Sequence, residues 1–319
     1  MSSKQVVVIS DRRDAHLPFV QRHLSEPLIV IDPLEIAAGK LLSFEYTESG
    51  SRAIFDGKTL DPAGVWFRKP GTINAAKLDI DPRFQKYAAS ALQKHFSTLL
   101  SSFPNAYHMS DLHAITRASD KPLQIAVAKE IGLKVPDTLF TSDAKAAKAF
   151  VARYDYCIVK PVVPLIEETG PNQQKMLYST KISSSTMPDL SSLSISPLIF
   201  QEAIEVAYDV RVTVVGDKVF AARIEHKGDD TDIRDWRLGH YEGELSIQPD
   251  NNFPQDTAQK CIEHAKRLGL TFSAIDFVVD NKGIYWFLEN NPNGQWAFVE
   301  QETGQQIGKA IAELLTSPR

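Results

Sequence analysis

The run from Ala274 to Asn293 constrains the fold of this chain more than any other stretch. It reads A-I-D-F-V-V, then D-N-K-G, then I-Y-W-F-L, then E-N-N-P-N. Two apolar runs joined by Asn281-Lys282-Gly283 specify a β-hairpin, closed beyond Asn291 by Pro292. Inside the first run stands Asp276, whose neighbours Ile275 and Phe277 point to the opposite face. A carboxylate in so apolar a strand is costly to desolvate unless a positive charge pairs with it. The second run ends in Glu289, Asn290 and Asn291, three oxygen-bearing side chains in succession. Strand alternation puts Glu289 and Asn291 on one face and Asn290 on the other. Such a segment serves either as a plain turn or as an oxygen site for a hard cation. Mg2+ carrying nucleotide phosphates prefers octahedral oxygen ligation and takes only a few carboxylates.

With 319 residues the chain is long enough for two or three domains. A hydrophobic share of 43% and a charged share of 24% suit a soluble globular protein. The net charge of −5 disfavours a nucleic-acid partner held by bulk electrostatics. No run approaches a membrane span, and the apolar run Val6–Ser10 is too short for a signal peptide. Cys157 and Cys261 are the only cysteines, so neither a disulfide framework nor a zinc cluster is expected, and a reducing cytoplasm is the simplest home.

The first hundred residues alternate strand and helix patterns: strands at 6–10, 28–32 and 65–70, helices at 19–24 and 88–100. Phe103-Pro104-Asn105 marks a domain edge. A second block holds a helix from Lys121 to Ile131 stopped by Gly132, a short helix at 144–152 and a strand running into Lys160-Pro161. Polar connections at 167–174 and 183–196 around Met176–Ile182 predict a hairpin with mobile loops that closes over a ligand. The last block is rich in strands, at 198–201, 210–215, 219–224, 274–279 and 284–288, with helical periodicity at 255–268 and 305–315.

Gly57-Lys58-Thr59 fails as a P-loop because the required first glycine falls at Arg52. No G-x-G-x-x-G, G-x-S-x-G or H-E-x-x-H is present. Two lysines are placed for phosphate: Lys121 opens a helix, and Lys160 ends a strand in C-I-V-K-P. An ammonium about 4 Å from a phosphate gains a few kcal/mol in an intermediate dielectric, whereas any single lysine taken alone is more commonly a snorkelling surface residue. In I-F-Q-E-A-I-E-V-A-Y-D-V-R, a strand leads into Gln201, Glu202, Ala203 and Ile204, with Asp209 and Arg211 beyond. An apolar slot with polar groups at a strand-to-strand hinge suits adenine, and a carboxylate a few residues on suits ribose hydroxyls.

In this order, the residues resemble the ATP-grasp superfamily of carboxylate–amine ligases. Its two phosphate lysines, adenine hinge and Asp…Glu-x-Asn metal motif match Lys121, Lys160, Gln201-Glu202 and Asp276…Glu289-x-Asn291. Asp209 follows Glu202 by seven residues and Glu289 follows Asp276 by thirteen, as in that family. V-W-F-R-K-P at 65–70, D-V-R-V-T-V-V-G-D at 209–217, D-W-R at 235–237 and F-L-E-N-N-P-N-G-Q-W at 287–296 are similar to graspetide synthetases, the microviridin-type ATP-grasp maturases of ribosomal peptides. The resemblance implies a mixed α/β (α+β) ATP-grasp fold. Its parts are an N-terminal pre-ATP-grasp α/β domain (1–106), a central domain with a mobile lid (107–200) and a C-terminal antiparallel-sheet domain (201–319).

It further implies ATP and Mg2+, as a pair of ions held by Asp276, Glu289 and Asn291, and a ribosomal precursor peptide with a leader and an acidic core. Asp or Glu side chains of that peptide become acyl phosphates, which Ser, Thr or Lys side chains attack to close ω-ester or ω-amide rings. Arg211, Arg223 and Arg237 are the candidates for stabilising the transferring phosphoryl group. Arg68, Lys69 and Arg234 are the candidates for recognising substrate carboxylates on a chain that is itself acidic. Assembly as a homodimer stays open. Ala274 stands where ligases of small amino acids often carry arginine, which argues against a pocket of that kind. Two alternatives remain: a ligase that adds an amino acid to a protein or small-molecule carboxylate, and a nucleotide-binding regulator without turnover.

Overall fold

The computed structural model describes residues 5–48, 50–163, 165–170, 173–177, 179–226 and 245–316. The chain opens with β1 (Val6–Ile9), α1 (Leu17–Gln21), β2 (Ile29–Ile31) and α2 (Pro33–Ala37). An antiparallel meander follows, β3 (Leu42–Thr47), β4 (Gly50–Phe55) and β5 (Lys58–Leu60), then β6 (Gly64–Phe67), α3 (Pro82–Ser101) and β7 (Tyr107–Met109). Strands β2-β1-β6-β7 form a parallel sheet. Near-continuous apolar runs such as V-V-V-I are what a parallel strand buried on both faces requires. Helix α3 begins earlier than its apolar periodicity suggested, because Asp81 caps it through the Arg83 amide and Pro82 fits the first turn. The meander was not legible in the sequence. Gly57-Lys58-Thr59 belongs to its last hairpin, where Asp56 and Gly57 take φ of 49° and 76°.

Next come α4 (Leu112–Ala118), α5 (Lys121–Glu130), β8 (Thr138–Thr141), α6 (Ala144–Val151), β9 (Cys157–Pro161), β10 (Leu165–Gly170), β11 (Gln173–Leu177), β12 (Thr180–Ile182) and β13 (Leu198–Glu202). Strands β12-β9-β13-β8 make an antiparallel sheet whose core joins Cys157, Phe200 and α6 residues Ala147, Phe150 and Val151. The polar connection expected at 167–174 is largely paired backbone, the β10–β11 hairpin. The one at 183–196 is anchored in the same core by Leu190 and Leu193.

The last part holds β14 (Val206–Val215), β15 (Lys218–His226), β16 (Leu245–Pro249), α7 (Gln255–Arg267), β17 (Phe272–Asp280), β18 (Tyr285–Asn291), α8 (Ala297–Thr303) and α9 (Ile307–Thr316). Its antiparallel sheet runs β16-β15-β14-β17-β18. One face, with Val210, Val212, Val214, Ile275, Phe277 and Phe287, is closed by residues of α4, α5 and α7. Phe272 and Ala274 of β17 and Ala222 of β15 instead join a core with Val6, Val8 and Trp66 of the parallel sheet and with α8 and α9. Each fully buried large aliphatic side chain there contributes about 1.5–3 kcal/mol. Helices α4 and α5, expected with the 107–200 block, thus share their core with the sheet of the 201–319 block. Helices α8 and α9 share theirs with the N-terminal sheet.

Candidate active site

Glu289 owes its position to an irregularity in the hairpin. Phe277 pairs with Phe287 and Asp276 pairs with Glu289, so Leu288 is an extra residue, a β-bulge. Without it Phe287, fully buried in the α7-side core, would share a face with Glu289. The bulge turns Glu289 and Asn291 to the other face, beside Asp276, and sends Asn290 into the core at 2% exposure.

On that face Asn291 Nδ2 donates to Asp276 Oδ2 at 3.1 Å and lies 3.4 Å from Glu289 Oε1. Register adds Arg211, which pairs with Asp276 in the ladder and whose Nη1 lies 2.9 Å from Asp276 Oδ1. Lys121 Nζ lies 3.2 Å from Glu289 Oε2. Two carboxylates are thereby balanced by two cations, which is what allows Asp276 to be 5% exposed in an apolar strand. Lys121 reaches this point because α5 starts there: Asp120 caps the helix through the Leu123 amide and Pro122 sits in its first turn.

The set fits a hard divalent cation. Asp276, Glu289 and Asn291 offer oxygens only, and they converge on one amide group. Rotating that amide by half a turn exchanges its NH2 for its oxygen, the polarity a cation requires. Among the described residues no three His, Cys, Asp or Glu side chains cluster, so the candidate is two carboxylates and an amide.

Lys160 and Gln201 meet on the second antiparallel sheet. Ladder pairing of Ile199 with Lys160 and of Gln201 with Ile158 puts both on the face away from the Phe200 core. Lys160 Nζ donates to Gln201 Oε1 at 2.8 Å, and Gln201 Nε2 donates to Thr138 Oγ1 at 3.0 Å. Glu202 alternates to the opposite face, where its carboxylate accepts from the Asp137 amide at 3.3 Å. Ala203 and Ile204 form the link into β14, with the Ala203 amide bonded to Tyr156 O at 3.2 Å. Asp209 lies two residues before Arg211 on the same face of β14.

The remaining sequence candidates are placed differently. Arg223 pairs with Val210, so it points to the α7 side, away from Arg211 and Asp276. Its guanidinium covers the Tyr208 ring at 3.7 Å and donates to Glu225 at 2.6 Å. Strand alternation thus separates it from Arg211, with which the sequence grouped it as a candidate for the transferring phosphoryl group. Arg68 is 2% exposed, ion-paired with Asp14 at 3.5 Å and bonded to the carbonyl of Asn293. His16 completes the tie: Asp14 Oδ1 lies 2.5 Å from its Nδ1, and its Nε2 accepts the Trp296 amide at 3.0 Å. Arg68 therefore holds the loop that follows Asn291, while Lys69 beside it is exposed. Trp296 is fully buried, edge-on to His16 and Phe19, which gives the Gln295-Trp296 step its role as an anchor on the N-terminal domain. Arg234 and Arg237, with the D-W-R triplet, lie outside the described residues.

Sequence reasoning missed the network behind Asn290. Its Nδ2 lies 3.1 Å from both Ser273 Oγ and His264 Nδ1, and its backbone is held by Gln124. His264 Nε2 faces the Gln124 carbonyl at 3.0 Å, so it carries the proton and Nδ1 accepts. Burial holds His264 below the ordinary histidine range. The only signal in the sequence was a polar residue at a core-facing strand position.

One sheet thus carries paired carboxylates with an amide, and the other a strand-end lysine held by a glutamine. A model of the RimK-like ATP-grasp domain matches residues 118–315. The chain belongs to that family, and its fold is the ATP-grasp fold. A Chryseobacterium gregarium RiPP-associated ATP-grasp ligase, in complex with ADP and a leader and core peptide, is similar with a TM-score of 0.90. It is 23% identical, with 99% of this chain and 98% of that one covered. Macrocyclase MdnC from Microcystis aeruginosa MRC, bound with precursor peptide MdnA, has a TM-score of 0.82 at 23% identity, covering 98% and 99% of the two chains. A probable alpha-L-glutamate ligase of Syntrophotalea carbinolica is 24% identical over 213 residues, 66% of this chain and 67% of that protein.

Proposed function

We propose that this chain is an ATP-dependent, ADP-forming ligase that activates Asp or Glu side chains of a ribosomal precursor peptide and closes ω-ester or ω-amide rings. The observation that carries the reading is the convergence of Asp276, Glu289, Asn291, Lys121 and Arg211 on one sheet face. Full-length likeness to ligases that hold leader, core or precursor peptides supports the peptide as substrate.

Asp276, Glu289 and Asn291 would hold Mg2+, whose charge offsets that of the ATP phosphates. Lys121 and Lys160 neutralise phosphate oxygens, and Arg211 carries fixed positive charge to the transferring group. Gln201 aims the Lys160 ammonium, while the 201–204 link offers backbone groups to adenine and Asp209 accepts from the ribose. A peptide carboxylate oxygen attacks the γ-phosphorus, the bond to the bridging oxygen breaks, and ADP leaves. The Ser or Thr oxygen, or the Lys nitrogen, then attacks the acyl carbon of the mixed anhydride. Phosphate departs with the electron pair of the C–O bond, and the nucleophile's proton passes to phosphate or water.

Similarity to the glutamate ligase favours a second reading, addition of a free amino acid to a carboxylate. Against it stands Ala274, a fully buried alanine where ligases of small amino acids often carry arginine. Coupled detection of ADP distinguishes the two. The proposal expects ADP with acidic Thr- or Lys-containing peptides and none with free glutamate plus a carboxylate acceptor. The converse result supports the second reading, and no ADP with any acceptor refutes both.

A further inference from the structure

Strand β18 lies at the edge of its sheet, so the backbone groups of Asn290 that face away from β17 need partners from elsewhere. Gln124 supplies both with one side chain. Its Oε1 accepts the Asn290 amide at 2.9 Å, and its Nε2 donates to the Asn290 carbonyl at 2.7 Å. The same Nε2 donates to the Ala118 carbonyl at 2.7 Å, tying in the end of α4. Gln124 is 3% exposed, and its amide acts as one residue of an additional strand laid against β18.

The point of attachment matters because Asn290 stands between Glu289 and Asn291. On α5, Gln124 lies three residues after Lys121, on the same helix face, and Lys121 reaches Glu289. One helix thus grips the hairpin twice, through a backbone clamp at 290 and an ammonium at 289. Asn290 closes the circuit through its side chain to His264, whose other ring nitrogen returns to the Gln124 carbonyl. Gln124, Asn290, His264 and Ser273 are each 3% exposed or less, so water offers no substitute partner.

We infer that Gln124 is a positioning residue of the nucleotide–metal site, holding Glu289 and Asn291 in register with Lys121. The inference rests on the proposed Mg–ATP reading of that site. It assigns Gln124 no contact with substrate; its effect passes through the backbone of residue 290. Groups that orient metal ligands from behind commonly govern about 10- to 100-fold in metal affinity.

The test is calorimetric titration of ATP into the full chain, once with Mg2+ and once with EDTA, at a temperature well below unfolding. Gln124→Leu removes the clamp. Gln124→Glu keeps its shape and the acceptor for the Asn290 amide but turns an oxygen toward two carbonyls, and it serves if the leucine variant does not fold. Ser273→Ala removes a different hydrogen bond from the same network and reports general loosening. Gln124→Leu and Gln124→Glu are expected to lose about tenfold or more of the Mg2+-dependent gain in ATP affinity, with binding in EDTA unchanged and Ser273→Ala retaining the full gain. Retention of the wild-type gain in the Gln124 variants overturns the inference, as does an equal loss in Ser273→Ala. A wild-type chain that shows no Mg2+-dependent gain refutes instead the reading of the site on which the inference rests.

Discussion

Gly294→Ala tests how tightly the loop after Asn291 is built. An ideal Cβ at 294 falls 2.4 Å from Ala274 Cβ and 3.0 Å from Asn291 Cβ. Non-bonded carbons sit at about 3.5–4.0 Å, so the loop and β17 must separate by more than about 1 Å. Neither can retreat easily: Ala274 pairs with Asn291 in the ladder, and Arg68 grips the loop at the Asn293 carbonyl. Overpacking of this kind costs about 1–3 kcal/mol, and the displacement falls on Asn291, so Mg–ATP affinity drops together with stability. Ala274→Gly alone costs about 0.5–1 kcal/mol as a glycine in a strand. In the double variant the worst contact disappears, leaving that between residue 294 and Asn291 Cβ. Equilibrium denaturation of the four proteins is expected to give a coupling of at least about 1 kcal/mol in the stabilising direction, with partial recovery of ATP affinity. Additive effects, or a Gly294→Ala protein as stable as wild type, would refute the claim that this glycine is required by close approach.

Lys160→Ala is expected to weaken ATP binding about tenfold or more at little cost in stability; unchanged nucleotide affinity by calorimetry would remove Lys160 from the phosphate site. Arg68→Leu leaves Asp14 without its guanidinium partner in a buried setting and is expected to destabilise by about 3–5 kcal/mol in denaturant, whereas a surface pair would cost under about 1 kcal/mol. Stability should also respond to mild acid. Burial holds His16 and His264 below their ordinary 6.5 and so favours their neutral forms in the fold; their contribution is present above that pH and lost as pH falls below it. At His16 the Asp14 carboxylate opposes this while the Arg68 charge reinforces it. Asp14 titrates in a separate window: burial pushes its carboxyl up, but the bond from His16 and the Arg68 charge hold it at about 2, so its contribution is lost only below the ordinary 3.8. Denaturation midpoints flat from pH 8 down to about pH 5 would contradict the burial of neutral histidines.

Much of the site was legible because it obeys local rules. A helix start with Asp120 and Pro122 places Lys121, a strand end places Lys160, and period-two alternation separates Asn290 from its neighbours. What escaped the sequence depends on contacts between distant segments. The bulge at Leu288 is one extra residue in an apolar run and has no signature of its own, yet it decides that Glu289 faces Asp276. Arg68 looked like a strand-end cation; only the approach of Asp14, His16 and the 293–296 loop shows why it is buried. Arg223 differs from Arg211 by strand pairing alone, a matter of register that composition cannot reveal. Gln124 is an unremarkable glutamine of a helix until the edge of β18 arrives beside it.

The central claim is tested most directly by mass spectrometry of an acidic precursor peptide bearing Thr or Lys acceptors, incubated with the chain, ATP and Mg2+. Loss of one water mass per ring, dependent on ATP and abolished by Glu289→Gln in a folded variant, is the predicted result. A peptide that keeps its mass while ADP accumulates with a free amino acid, or full ring formation by Glu289→Gln, would contradict it.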